Sequence, residues 1–150
     1  PGQIVIAGAA KSVNKAISLC KKVGARRAIL LPVSAPFHTM MMRPAADRLT
    51  QRLENISFSC PKIPVIHNVH GRFEDNPEGI KAAVLKQIYS PVLWVQCVER
   101  LLNEGTNVFV ECGAGGVLSG LIRRIDKTIQ AYTLSTSESF ESALFNISDM

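Results

Sequence analysis

Short apolar runs alternate with helical patterns along almost the whole chain, and this alternation limits the fold more than any single motif does. Residues 3–8, 27–33, 63–69, 107–113 and 130–135 have strand-like composition and length. Residues 10–24 repeat Val13, Ala16, Ile17 and Cys20 at helical spacing, with Gly24 as a stop. Residues 42–56 put Leu49, Leu53 and Ile56 on one helical face. Residues 80–89 read as a helix that ends at Ser90-Pro91, and 92–105 as a helix closed by Gly105. Residues 117–126 and 139–147 complete the helical set, and 71–79 form a polar turn. Strand followed by helix, repeated, predicts an α/β fold with a largely parallel sheet. Ligands in such sheets sit beyond the carboxyl ends of strands. His38, Asn68 and Cys112 fall at or just after such ends.

Composition excludes several classes. The longest apolar run is well short of the roughly 20 residues a membrane helix needs. Cys20, Cys60, Cys97 and Cys112 are widely spaced and form no CxxC pair, which argues against a zinc site or a disulfide framework. Four free thiols fit a reducing, cytoplasmic setting. The net charge of +5 comes from short basic pairs such as Lys21-Lys22 and Arg123-Arg124, not from the long block of a nucleic-acid tail. A solvated surface explains such pairs; a moderate basic field for an acidic partner is the alternative.

His38 carries the most chemical weight. It closes the stretch PVSAPFH after a strand-like run and precedes Met40, Met41 and Met42 at the start of a helix. A histidine at that junction can take up and return a proton, but a general base needs a nucleophile to act on. The hydrolase elbow G-x-S-x-G is absent from the sequence, and Ser34, Ser119 and Ser135 are not in elbow-like settings. A packed, hydrogen-bonded histidine is the plain alternative. His67 and His70 have H-x-x-H spacing, which on a strand sends the two rings to opposite faces and disfavours a shared metal. ECGAGGVLSG imitates a phosphate-binding glycine turn, yet Leu118 stands where the third glycine of GxGxxG belongs. Cys112, just before a helix, reads as an activated thiolate or as a small apolar residue.

Taken in order, PGQIVIAG, PVSAPFH with MRPAADRL, VIHNV, QIYSPVLW and ECGAGGVLSGLIRRI resemble the bacterial malonyl-CoA:acyl carrier protein transacylases of fatty-acid synthesis. The resemblance covers essentially the whole chain and matches the carboxyl-terminal half of that family. It implies an α/β fold with two parts. Residues 1–34 would be the second half of a ferredoxin-like small subdomain, and residues 35–150 part of an α/β-hydrolase-like large subdomain. It implies transfer of a malonyl group from malonyl-CoA, by way of a serine ester, to the phosphopantetheine thiol of acyl carrier protein. His38 would be the general base and acid, and the backbone carbonyl of Gln87 would orient it.

The resemblance further implies that Phe37, with Met41 and Met42, lines the acyl pocket. Arg123 and Arg124 are expected to contact acyl carrier protein. No cofactor or metal is expected, malonyl-CoA being a substrate, and the intact enzyme is expected to be a cytoplasmic monomer without nucleic-acid or membrane partners. The family's serine elbow, oxyanion glutamine and malonate-binding arginine lie upstream of the position matched by Pro1. The missing amino-terminal half is therefore an expected partner, and the segment alone an inactive one. One departure is the turn Gly113-Ala114-Gly115, where the family usually has G-P-G; alanine lacks proline's fixed φ. Two other classes stay open: a Cys112–His38 acyl transferase or hydrolase complete within the chain, and a non-catalytic phosphoryl-ligand module built on GAGG.

Overall fold

The computed structural model describes residues 2–148, so Pro1, Asp149 and Met150, which belong to the outer ends of the two expected segments, lie outside it. The described residues form two compact units, Gly2–Leu93 and the part that starts at Trp94.

The second unit has the expected alternation. Helix α4 (Trp94–Asn103) leads to strand β3 (Val108–Cys112), helix α5 (Val117–Ile125), strand β4 (Gln130–Leu134) and helix α6 (Ser137–Ser148). Strands β3 and β4 are parallel, in register from Val108↔Gln130 to Cys112↔Leu134. Parallel neighbours need a crossover, which α5 supplies. Gly105, with φ 88°, ends α4 as its position in the sequence suggested. Its N–H donates to Leu102 O at 2.9 Å, and the Thr106 N–H donates to Leu101 O at 3.0 Å. The core of this unit is Val98, Ile122, Ile129 and Ala131, flanked by Trp94, Leu102, Phe109 and Ile125.

The first unit is less regular. Helix α1 (Ala10–Lys22) precedes a 3₁₀ turn over Met40–Met42, which runs directly into α2 (Arg43–Leu53). Strands β1 (Ile66–His67) and β2 (Arg72–Phe73) form a short antiparallel hairpin. Helix α3 (Pro77–Lys86) follows and tightens into a 3₁₀ turn over Gln87–Tyr89. Asn76 caps α3, its side-chain oxygen accepting from the Glu78 N–H at 2.9 Å, with Pro77 in the first turn. Ala46 and Leu53 of α2 and Ala83 of α3 are buried, and α2 packs against α3 and the Gln87–Tyr89 turn.

Three sequence expectations change here. Residues 3–8 and 27–33 are not strands: neither segment pairs with another strand among the described residues. A strand needs a neighbour for its backbone groups, and composition alone does not provide one. Their side chains stand open to solvent, Ile4 at 89% and Leu30 at 67% exposure. Residues 63–69 shrink to a two-residue strand, and its partner β2 lies inside the segment read as a polar turn. The sheet content of the described residues is thus one parallel and one antiparallel pair, not one largely parallel sheet.

The core of the second unit makes a direct prediction. Ile122 is 5% exposed and Val117, on the same helix, 70%. Ile122→Ala should cost about 2–5 kcal/mol. Val117→Ala should stay within about 0.5 kcal/mol. Urea melts of the two variants check the contrast, and equal losses would mean that the α5 face has been misassigned.

Candidate functional site

His38 is the one non-glycine residue with positive φ among the described residues, at 60°. That left-handed turn reverses the chain between Phe37 and Thr39, just before the Met40–Met42 turn. Thr39 helps to hold it, its hydroxyl donating to Pro36 O at 2.7 Å. Two successive carbonyls bind the histidine itself. The His38 backbone N–H donates to Ile88 O at 3.2 Å. The ring Nδ1 lies 2.8 Å from Gln87 O. A carbonyl oxygen can only accept, so Nδ1 carries the proton in that bond. In the neutral ring Nε2 is then left with its lone pair. The geometry therefore yields an imidazole whose far nitrogen is a proton acceptor, on a half-buried side chain.

The turn that presents these carbonyls is clamped from α2. The Arg43 guanidinium lies over the Tyr89 ring, 4.8 Å from its centroid. Its Nε also donates to Asp47 at 3.0 Å. Planar stacking of this kind suits arginine and would be lost with lysine. Around His38 the apolar side chains are open: Phe37 is 47% exposed and Met41 57%, whereas Met42 is half-buried.

The other candidates fall elsewhere. His67 and His70 are not on opposite faces of a strand. His67 ends β1 and His70 sits in the hairpin turn, which brings the ring centroids to 5.8 Å. His70 Nδ1 accepts the Arg72 backbone N–H at 3.2 Å, so that nitrogen is already used. Burial, followed by the nearby Arg72 and His67, lowers the proton affinity of His70. No cluster of three or more His, Cys, Asp or Glu suited to a metal occurs among the described residues. Cys112 is exposed at the end of β3, in the other unit from His38. Arg123 and Arg124 are both exposed in the last turn of α5, and the Arg123 guanidinium donates to the Ala131 carbonyl.

The glycine turn has the backbone freedom of a phosphate loop, with Gly113 at φ 141° and Gly115 at φ 88°. Its helix terminus, however, is already occupied. The Glu111 carboxylate accepts the Ser119 N–H at 2.8 Å and the Leu118 N–H at 3.1 Å. These are the first-turn donors that a bound phosphate would use. An intramolecular anion there disfavours the phosphoryl-ligand reading. Sequence reasoning passed over Glu111, although a carboxylate one residue before the strand's end and just ahead of a glycine turn was the available signal. It also passed over Ile88, whose role is a main-chain one that no side chain advertises.

No protein-family model matches the chain. Individual proteins do. The malonyl CoA-acyl carrier protein transacylase of Escherichia coli strain K12 is 42% identical over 144 residues, covering 96% of this chain and 47% of that protein. A solved malonyl-CoA:acyl carrier protein transacylase from Xanthomonas oryzae superposes with a TM-score of 0.87 at 42% identity, covering 91% of this chain and 44% of that one. The chain is a homologue of these transacylases. It spans about half the length of the curated relatives it matches. A malonyl-transacylase solved in complex with its type II PKS acyl-carrier protein is a further structural match, at 40% identity and TM-score 0.87, covering 91% of this chain and 44% of that one. No helix among the described residues is long and apolar enough to cross a membrane.

Hydrogen bonds from Ser119 first, then Leu118, hold the Glu111 carboxyl below its ordinary value. A carboxyl depressed on folding adds stability above its unfolded value, near 4.5. That stability is lost as pH falls through the folded value. Glu111→Ala should therefore lower the melting temperature near neutral pH, and the gap from the parent should close as pH is brought below 4.5. A gap that is constant with pH would show that Glu111 acts by packing alone.

Proposed function

We propose that this chain supplies the histidine-bearing part of a malonyl-CoA:acyl carrier protein S-malonyltransferase. One observation supports the reading: His38 Nδ1 lies 2.8 Å from Gln87 O, a bond that in the neutral ring leaves the Nε2 lone pair open to accept a proton. In the proposed reaction Nε2 accepts the proton of a serine hydroxyl located outside this segment. The serine oxygen forms an ester bond to malonyl as the thioester carbon–sulfur bond breaks. His38 returns the proton to the departing coenzyme A thiolate. It then deprotonates the phosphopantetheine thiol of acyl carrier protein, whose sulfur displaces the serine oxygen, and the serine is reprotonated. Atoms and charge balance in each half, and no cofactor takes part.

The rest of the reading follows from this assignment. Phe37, Met41 and Met42, adjacent to His38 in the chain, are proposed to line the acyl pocket. Arg123 and Arg124 are proposed to meet the acidic carrier protein at the exposed end of α5. The finer architecture is part of the same proposal: residues 1–34 as half of a ferredoxin-like subdomain and 35–150 as part of an α/β-hydrolase-like one. The exposed apolar runs at 3–8 and 27–33 support it, since neither pairs with a strand among the described residues, and a strand from the amino-terminal half would provide one.

Two experiments test the reading, both in the protein that carries this segment together with its serine-bearing half. His38→Ala should lower the rate of malonyl transfer by about 10²–10⁴-fold while the protein still folds. Turnover close to that of the parent would remove His38 from the mechanism. Phe37→Ser should narrow the ratio of kcat/KM for malonyl over methylmalonyl substrates. A pocket wall that excludes one methyl group is worth roughly 1–3 kcal/mol. An unchanged ratio would place the selectivity on other residues.

A further inference from the structure

We propose that Pro91 is a positioning residue for His38: because it has no N–H, it keeps the Gln87 carbonyl available to the imidazole. This rests on the proposed proton-carrying role of His38. Helix α3 ends at Lys86 and tightens into the 3₁₀ turn Gln87–Tyr89. If the α-helix had continued, Gln87 O would accept the N–H of the residue four positions on, which is residue 91. Proline has no such N–H, and its ring drives the preceding residue out of the helical region. Ser90 is extended accordingly, at φ −117° and ψ 152°. The neighbouring carbonyl is released by the same event. The α-helical partner of Ile88 O would be Val92, and once the chain turns at Ser90 this oxygen accepts the His38 N–H instead.

One proline thus accounts for two consecutive carbonyls that are without α-helical i+4 partners and that accept from one histidine. A carbonyl oxygen has two lone pairs, so a tight-turn donor and the imidazole can share Gln87 O. A donor added at residue 91 would compete with the imidazole, and freeing Ser90 from the pre-proline restriction would let that donor approach. Arg43, stacked on Tyr89 from α2, holds the turn on the His38 segment but cannot supply the acceptor.

The experiment reads the tautomer directly. The ¹⁵N-histidine spectrum is recorded on the protein that carries this segment together with its serine-bearing half, and the signals lost in His38→Ala are those of His38. In the parent protein Nδ1 should be protonated and Nε2 should give the signal of an unprotonated ring nitrogen. Pro91→Ala should raise the Nε2–H fraction of His38 from below about one tenth to about one half, the change expected when one hydrogen bond is weakened by competition. An α-hydroxy acid in place of residue 91 makes an ester, which has neither the ring nor an N–H, and should keep the parent tautomer. Pro91→Ser restores the same N–H and replaces the alanine variant if that one does not fold. An unchanged tautomer in the N–H-bearing variants would overturn the proposal, as would a tautomer shift in the ester variant equal to that of Pro91→Ala. The spectrum is recorded without substrate or transfer activity. A failed malonyl-transfer assay would therefore remove the proposed function while leaving this measurement to decide on Pro91.

Discussion

The bond from His38 Nδ1–H to the Gln87 carbonyl is the interaction on which the site depends. An imidazole free to turn would present either nitrogen, in either tautomer, to whatever lay beside it. Bound through Nδ1 to an acceptor that can never donate, it presents Nε2 outward and, when neutral, holds one tautomer. The same bond explains much of the local chain path. The ring reaches Gln87 while the histidine's own N–H reaches Ile88, so the residue is held at two points by consecutive carbonyls.

That double hold has an energetic side. A left-handed backbone at a non-glycine residue costs on the order of 1–2 kcal/mol. Two hydrogen bonds at roughly 1 kcal/mol each offset a cost of this size. With φ at 60°, His38 therefore sits in a conformation that the unsupported segment would not keep. The support comes from a helix end. Helix α3 begins at the Asn76 cap, buries Ala83, packs against α2, and stops where Ser90-Pro91 forbids another turn. Start signal, buried face and stop signal together set where two carbonyls come free.

Much of this was legible in the sequence. Gly105 announced the end of α4, Ser90-Pro91 the end of the preceding helical segment, and the β3–α5–β4 unit followed from its period. These features are local, and local chemistry determines them. The apolar runs at 3–8 and 27–33 show the limit. Their composition is that of strands, but a strand is a relation between two segments, and neither one pairs with another strand among the described residues. The β1–β2 hairpin shows the converse: Arg72-Phe73 looked like part of a polar turn, and pairing made it a strand. At the site, His38 stood out as a residue type. Ile88 did not, because its contribution is a main-chain oxygen, and Gln87 entered only through resemblance. The capping role of Glu111 needed the turn geometry that carries it back over the start of α5.

The choice of a neutral acceptor behind His38 bears on what the site can do. A carboxylate in that place would hold the imidazolium strongly, at the cost of burying a charge that must stay paired. A carbonyl supplies the orientation with only a dipole. In the proposed transfer His38 must take a proton and return it in each of two half-reactions, first to one thiolate and then, by way of a second thiol, to the serine. A base that held its proton too firmly would slow each return. Proton-transfer efficiency is greatest when the affinities of carrier and partner are close. An orienting group that fixes the tautomer without strongly stabilising the charged ring suits a reaction that runs between two thioesters of similar energy. The clamp of Arg43 on Tyr89 fits the same logic, because it places the guanidinium over an aromatic face and beside Asp47, and so steadies the turn while its own charge is balanced by that carboxylate.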